Sequence, residues 1–161
     1  MQKIIPFLWF DTQAEEAAKF YTSVFENSKV GKILRYDEAA AKAAGGPVGA
    51  VLTIEFEIGG QKFTALNGGP EFKFNEAISF VVNCDTQEEV DYFWEKLSAD
   101  GGQESQCGWL KDKFGLSWQI VPTVLGELMS DPEKVARVMS AVMKMIKLDL
   151  AEMTRAAEGR T

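Results

Sequence analysis

The sequence predicts an α+β protein made of two tandem βαβββ modules followed by C-terminal helices. The order of apolar strand-like runs and one helical pattern in the first half recurs in the second half. The two halves also open alike: FLWFDTQAEEAAKFY matches FVVNCDTQEEVDYFW in kind, each with a strand, then Asp-Thr-Gln, an acidic helix start and an aromatic pair. We expect a single domain over 1–161, with a first module at 1–70, a second module at 75–122 and a helical segment at 123–158.

The elements of the first module follow from apolar periodicity. The run KIIPFLWF at 3–10 predicts a strand, and Pro6 indicates an edge position or a bulge. Asp11 is a suitable N-cap for a helix over 13–25, whose apolar residues recur at helical spacing. Further strands are predicted at 30–36, 48–58 and 61–66, with Gly59-Gly60 as the turn of a hairpin and 38–44 as a loop or a short helical excursion.

The second module repeats this order with shorter strands. Strands are predicted at 77–82, 103–107, 109–111 and 116–121, and a helix at 86–99. After Pro122 a short helix is predicted near 124–129. A longer amphipathic helix begins at Asp131-Pro132, with Asp as N-cap and Pro at the first helical position, and its Met-rich apolar face continues through about residue 156.

Composition excludes several classes of function. The chain carries 17 Lys and Arg against 24 Asp and Glu, and its net charge of −7 would repel a phosphate backbone, so we expect no nucleic-acid partner. No apolar run reaches the roughly 18 residues of a membrane helix, and the first residues lack the pattern of a signal peptide. Cys84 and Cys107 stand outside any disulfide or zinc spacing and are expected to be ordinary buried thiols. A cytoplasmic protein with no membrane partner is the expectation.

The segment CGWLKDKFGLSWQIVP at 107–122 predicts a tight hairpin that ends in an apolar strand, with Gln119 pointing inward. Together with PFLWFD, the Phe20-Tyr21 pair and the tail at 141–150, it resembles the PhnB-like group of the vicinal oxygen chelate superfamily, often labelled demethylubiquinone methyltransferase-like. The resemblance spans nearly the whole chain. It implies a glyoxalase/bleomycin resistance-like fold, in which the strands form an open, curled mixed β-sheet around a concave cleft, and it implies a homodimer.

The resemblance also implies where a metal would bind. In metalloenzymes of the superfamily, His, Gln or Glu side chains on the first and last strands of each module hold a divalent ion. The matching positions here are Ile5, either Ala65 or Asn67, Ser79 and Gln119, and the chain contains no histidine. Because alkyl, hydroxyl and amide groups are poor ligands for a divalent ion, we expect no metal and no cofactor.

Period-two alternation predicts the lining of the cleft. Leu8 and Phe10 are expected to pack under the first helix, and Ile5, Phe7 and Trp9 to face the cleft. On the second module, Ser79, Val81 and Asn83 are expected to share that face with Ser117, Gln119 and Val121. The expected ligand-binding residues are Ile5, Phe7, Trp9, Asn67, Ser79, Val81, Cys107 and Gln119. They either line an apolar, aromatic pocket with a few polar groups or simply fill the core.

No catalytic residue is predicted. The glycine doublets stand at turns and lack the pattern of a strand followed by a Gly-rich loop, so a nucleoside-binding site and methyl transfer are disfavoured. Cys107 has no histidine to activate it as a nucleophile. Asp112 and Glu104 are the best general-base candidates, and both are expected to be solvated near a turn.

Two functions stay open on this basis. The first is metal-free binding of a small apolar or aromatic molecule. The second is an enzyme that acts on an unknown small molecule, in which Gln119, Asn67 and Ser79 orient the substrate. A third possibility is a protein that acts mainly through dimerisation or regulation by its C-terminal helix, which would leave an exposed apolar stripe.

Overall fold

A computed structural model describes residues 1–160 of the chain. The chain divides into two compact units, Met1–Phe74 and Asn75–Thr161. Each unit contains a four-stranded mixed sheet that is not closed, which confirms the predicted class of two βαβββ modules with additional helices. The organisation into a single domain stays a prediction. None of the helices within residues 1–160 combines the length and hydrophobicity needed to cross a bilayer.

The first unit contains four strands and two helices. They are β1 (Phe7–Phe10), α1 (Ala14–Val24), β2 (Lys29–Arg35), α2 (Glu38–Ala44), β3 (Val51–Ile58) and β4 (Gln61–Asn67). The strand order is β1-β4-β3-β2, with β1 parallel to β4 and the other neighbours antiparallel. α1 packs on β3 and β4. Phe56 lies at the centre of this core, with its ring centroid 6.0 Å from that of Tyr21 and 5.3 Å from that of Phe63.

The strand β1 is shorter than predicted, because regular pairing begins only after Pro6. Proline has no backbone N–H, so it cannot donate a bond to a ladder. Its carbonyl still accepts a hydrogen bond from Thr64 N at 3.0 Å. The predicted edge position of this strand is confirmed, since β1 pairs with β4 alone.

The second unit contains four strands and four helices. They are β5 (Ser79–Cys84), α3 (Gln87–Ser98), β6 (Gln103–Glu104), β7 (Trp109–Lys111), β8 (Ser117–Pro122), α4 (Val124–Met129), α5 (Pro132–Val142) and α6 (Leu150–Ala157). The strand order is β5-β8-β7-β6, with β5 parallel to β8. α3 packs on β5, β7 and β8 and buries Val90, Trp94 and Leu97. The helix predicted at 86–99 is therefore confirmed.

The single long C-terminal helix predicted from 132 to about 156 is wrong, because α5 ends at Val142 and α6 starts at Leu150. The chain between them bonds to the hairpin instead. Met145 O accepts from Cys107 N at 2.8 Å and Ile146 O accepts from Gly108 N at 2.9 Å. The apolar spacing continued through the break because Met145 and Leu148 are buried in the same core as the two helices.

Asp112 is buried, so the prediction that its carboxylate is solvated is wrong. Its Oδ1 accepts hydrogen bonds from Phe114 N at 2.9 Å and Leu116 N at 3.1 Å. Its Oδ2 accepts from the indole Nε1 of Trp118 at 2.9 Å. One carboxylate thus closes the turn between β7 and β8 and fixes the tryptophan that packs beneath it.

Replacing Asp112 with Asn should lower the free energy of unfolding by about 1–3 kcal/mol, because the amide group turns a donor toward either the indole N–H or the two backbone N–H groups. Chemical denaturation measures the change. Asp11→Asn is the matched control, since this carboxylate is exposed, and it should shift stability by less than about 0.5 kcal/mol. An unchanged midpoint for Asp112→Asn would contradict the structural role given to this side chain.

Candidate ligand-binding site

The sheet of the second unit has one face covered by α3 and one open face. Trp118 and Ile120 of β8 are buried on the covered face, so the alternating residues Ser117, Gln119 and Val121 lie on the open face. In the parallel pair with β5, Ser117 lies opposite Ser79 and Gln119 lies opposite Val81. The strand register therefore places these side chains on one face, as the period-two alternation predicts.

The strand β7 completes this face with two side chains. Its register places Lys111 opposite Ser117 and Trp109 opposite Gln119. A cavity of about 470 Å³ lies along these strands. It is lined by Glu76, Gln103, Glu104, Ser105, Gln106, Cys107, Trp109, Leu110, Lys111 and Ser117. The lining combines one large aromatic ring with several hydroxyl, amide and charged groups, so it is more polar than the mainly apolar lining usual for small-molecule sites.

The hydroxyl of Ser117 is the exceptional group in this cavity. Ser117 is 0% exposed, and its Oγ has no hydrogen-bond partner among residues 1–160. A buried hydroxyl without a partner costs about 1–3 kcal/mol, and folded proteins contain few such groups. The amide of Gln119, on the same face, bonds elsewhere: its Nε2 donates to Ser79 Oγ at 2.9 Å.

Two carboxylates lie near the cavity, and each already has a partner. Glu76 forms an ion pair with Lys111, and the hydrogen bond from that ammonium group holds the pKa of the Glu76 carboxyl below its ordinary value. Glu104 accepts a hydrogen bond from the indole Nε1 of Trp94 at 2.7 Å. Glu104 is exposed as predicted, but this bond gives it a structural partner on α3.

Cys107 lies in the cavity wall at the tip of a tight turn. Trp109 N donates to Gln106 O at 3.1 Å, and the two central residues, Cys107 and Gly108, have φ angles of 59° and 83°. Positive φ at both central positions defines a type I′ turn, and a side chain other than Asn, Asp or Gly is unusual at the first of them. The thiol is half-buried, so the prediction of two fully buried cysteines is wrong for Cys107.

Cys84 is buried as predicted and lies on the covered face of β5. Burial, with smaller contributions from the Glu89 and Asp85 carboxylates, raises the pKa of this thiol to about 12 from its ordinary value of 9.0. A raised pKa in the folded state means that the folded state retains the proton longer than the unfolded chain. The associated stability is present below about pH 9 and is lost as the pH rises toward about 12.

The predicted residues of the first unit are placed on the open face of its own sheet. Phe7 is 59% exposed and Ile5 is 42% exposed, while Leu8 and Phe10 are buried on the opposite face, as alternation predicts. Trp9 is half-buried, and its Nε1 donates to Gly69 O at 2.9 Å. Phe7 and Ile5 therefore do not fill the core of their own unit. A cleft that these residues share with Ser79, Val81 and Gln119 stays a prediction.

Asn67 is placed differently from the prediction. It pairs with Phe10 and so belongs to the covered side of the sheet. Its Oδ1 accepts from Ala14 N, the first residue of α1, at 2.8 Å, and its Nδ2 donates to Val51 O at 3.0 Å. Both ends of the amide are used to join α1, β3 and β4, and a substrate-orienting role for Asn67 stays a prediction.

The second unit thus brings together Ser79, Gln119 and the hydroxyl of Ser117 along β5 and β8, with Cys107 in the wall of the adjoining cavity. Val81 shares the open face and is 51% exposed. Sequence reasoning missed Lys111, Trp109 and Glu76. Alternation in β7 would have identified the first two, because they flank the buried Leu110, but Glu76 stands in a loop where no periodicity applies.

The donor set does not fit a divalent metal. Within residues 1–160 no three side chains of the His, Cys, Asp or Glu type cluster closely enough to hold an ion. At the position that the superfamily uses for a ligand, Gln119 is hydrogen-bonded to Ser79 instead. Neutral amide and hydroxyl oxygens do not offset the cost of dehydrating a divalent ion.

The glycine doublets do not fit a nucleoside cofactor either. Gly59-Gly60 is the β3–β4 hairpin turn, and Gly45 ends α2 in the left-handed conformation. At Gly68, a Cβ atom would lie 2.4 Å from the Trp9 ring, so packing of the indole requires glycine. These glycines form a hairpin turn, end a helix and make room for the Trp9 ring. They therefore give no support to a cofactor site for methyl transfer.

Ser117→Ala should raise the free energy of unfolding by about 1 kcal/mol, because it removes a buried hydroxyl that has no partner. Denaturant-induced unfolding measures this change. Ser105→Ala provides the matched control, because Ser105 lines the same cavity but is exposed. A clear loss of stability in Ser117→Ala would show that the hydroxyl has a partner in solution.

The two cysteines should differ in reactivity, since burial shields Cys84 from reagents and raises the pKa of its thiol, whereas Cys107 is half-buried. At about pH 8, Ellman's reagent should modify one thiol per chain in the native protein and the second only after denaturation. Cys107→Ser should abolish the native reaction, and Cys84→Ser should leave it unchanged. Rapid labelling of both thiols in the native state would contradict the burial of Cys84.

The fold agrees with solved structures. The PhnB protein from Bacillus cereus, whose description names 3-demethylubiquinone-9 3-methyltransferase, is 37% identical and superposes with a TM-score of 0.67, over 76% of this chain and 100% of that chain. At 17% identity, protein PA1353 from Pseudomonas aeruginosa has a TM-score of 0.59 over 76% of this chain and 98% of its own. The fosfomycin resistance protein FosX from Listeria monocytogenes, at 16% identity, has a TM-score of 0.51 over 79% and 97%. The last two likenesses show the fold alone.

The sequence comparison gives the family. No curated protein matches the chain. The sequence profile of the family described as 3-demethylubiquinone-9 3-methyltransferase matches residues 2–121, which include both βαβββ modules. The resemblance to PhnB-like proteins is therefore confirmed, and the chain belongs to the 3-demethylubiquinone-9 3-methyltransferase family.

Proposed function

We propose that the protein binds a small aromatic molecule on the open face of its second sheet, without a metal. The observation that carries the proposal is the buried hydroxyl of Ser117, which lines a cavity of about 470 Å³ and has no partner among residues 1–160. A ligand oxygen that accepts a hydrogen bond from this hydroxyl would remove its desolvation cost. The ring of Trp109, which lies two residues from Lys111 on the same face, supplies an aromatic contact surface.

The family description names methyl transfer, but the residues of this chain support binding better. The chain contains no histidine, and the two carboxylates that line the cavity, Glu76 and Glu104, are paired with Lys111 and Trp94. The half-buried Cys107 has no imidazole to activate it. Binding without assigned catalysis is thus the proposal, and the homodimer and the cytoplasmic location stay predictions.

Titration with 2-naphthamide tests the proposal, because the probe joins a ring for Trp109 to a carbonyl for Ser117. The protein is labelled with fluorotryptophan, so that its four Trp residues give separate ¹⁹F signals. The signal that is absent from Trp109→Phe should shift and saturate, while those of the buried Trp94 and Trp118 change little. Ser117→Ala should weaken binding by about threefold to tenfold.

The matched control is Ser105→Ala, which removes an exposed hydroxyl from the wall of the same cavity and should leave the affinity unchanged. Absence of a saturable shift at Trp109, or equal affinities for the wild type and Ser117→Ala, would overturn the proposed site.

A further inference from the structure

The cavity carries a cation next to the unpartnered hydroxyl. Lys111 and Ser117 are direct partners in the β7–β8 ladder, and both side chains lie on the open face. Glu76 reaches Lys111 from the segment before β5, where Asn75 Oδ1 accepts from Ala77 N at 2.8 Å in a local turn. A lysine and a serine with an unpartnered hydroxyl therefore occupy adjacent positions on this face, and both line the cavity.

The carboxylate of Glu76 satisfies only one of these two donors. It pairs with Lys111, but Ser117 Oγ has no partner among residues 1–160. The Glu76 side chain is 60% exposed and that of Lys111 is 33% exposed. An ion pair this open to solvent contributes little to stability, so a competing carboxylate can replace it at small cost.

We propose that the ligand of this cavity is an aromatic carboxylic acid, whose carboxylate displaces Glu76 from Lys111 and accepts a hydrogen bond from Ser117. The inference rests on the proposed function and names the class of ligand for the same site. A carboxylate has two oxygens and about four acceptor positions, so it can satisfy the ammonium group and the hydroxyl together. The ring then extends along β7 toward Trp109, which is separated from Lys111 only by the inward-facing Leu110.

Glu76 competes with an anionic ligand for Lys111, the one cationic side chain in the cavity lining. The lining contains one Lys against Glu76 and Glu104, and the whole chain carries −7, so an anionic ligand is not drawn in by the overall field. Recognition depends on Lys111 at close range, and Glu76 competes for it. Removing the charge of Glu76 should therefore strengthen the binding of a carboxylate and leave a neutral probe unaffected.

Calorimetric titration of 2-naphthoate and 2-naphthamide tests the inference, because the two probes share shape and differ in charge. The carboxylate should bind more tightly than the amide. Lys111→Met should weaken naphthoate binding at least tenfold, and Ser117→Ala about tenfold. Glu76→Gln should strengthen it by about threefold to fivefold, the range set by an exposed ion pair.

Exposed side chains of the first unit provide matched controls. Lys32→Met and Glu71→Gln make the same charge changes on the first unit and should leave both affinities unchanged. Circular dichroism and unfolding midpoints identify any variant that is misfolded. Lys111→Gln serves as a second substitution at that position, because it keeps a polar chain and loses only the charge.

The outcomes separate the two proposals. If the amide binds as tightly as the carboxylate, or if both Lys111 variants bind naphthoate as the wild type does, the acid class is overturned and the proposed site stands. If neither probe binds saturably, the proposed function falls and the inference falls with it. A weaker affinity of Glu76→Gln for naphthoate would also overturn the displacement of Glu76.

Discussion

The buried carboxylate of Asp112 is the constraint on which the second unit depends. A hairpin strand has only two possible faces, and a shift by one residue exchanges them. By accepting hydrogen bonds from Phe114 N, Leu116 N and the Trp118 indole, Asp112 fixes both the turn and the register of β7 against β8. That register places Lys111 beside Ser117, so the open face of the sheet follows from the same interaction.

The two units make equivalent backbone hydrogen bonds and helix caps, but different residues supply them. At the end of the parallel strand pair, Gly68 N donates to Phe10 O in the first unit, and Thr123 N donates to Cys84 O in the second. The start of the helix is capped by Asn67 in one unit and by Thr86 in the other. The repeat is therefore visible in the order of elements and weak in residue identity, since backbone geometry is retained while the capping groups come from different parts of the chain.

The sequence predicted a structural feature correctly where the local spacing of apolar residues determines that feature. Alternation correctly placed Leu8 and Phe10 on the buried face and left Phe7 exposed, because a strand has a fixed period of two. It failed in the tail, where helical spacing continued past Val142 although bonds from Met145 and Ile146 to the hairpin interrupt the helix. Backbone pairing to a distant segment leaves no mark in local periodicity.

Polar residues were the harder part of the site, because their role depends on partners that are distant in sequence. Asn67 was expected on the open face, but its bonds to Ala14 and Val51 join three elements across the covered side. Asp112 was expected in solvent, and the donors around it keep it buried. In both cases a polar side chain became structural because the fold surrounds it with complementary groups.

Ser117 differs from these residues because its buried hydroxyl lacks a hydrogen-bond partner among residues 1–160. Asp112 is buried and fully hydrogen-bonded, whereas the equally buried hydroxyl of Ser117 has no partner among residues 1–160. Alanine would fit the same space and avoid the desolvation cost. In the proposal, this buried polar atom in the cavity lining finds its partner outside the chain, and Lys111, its neighbour in the β7–β8 ladder, favours a partner that carries an acceptor with negative charge.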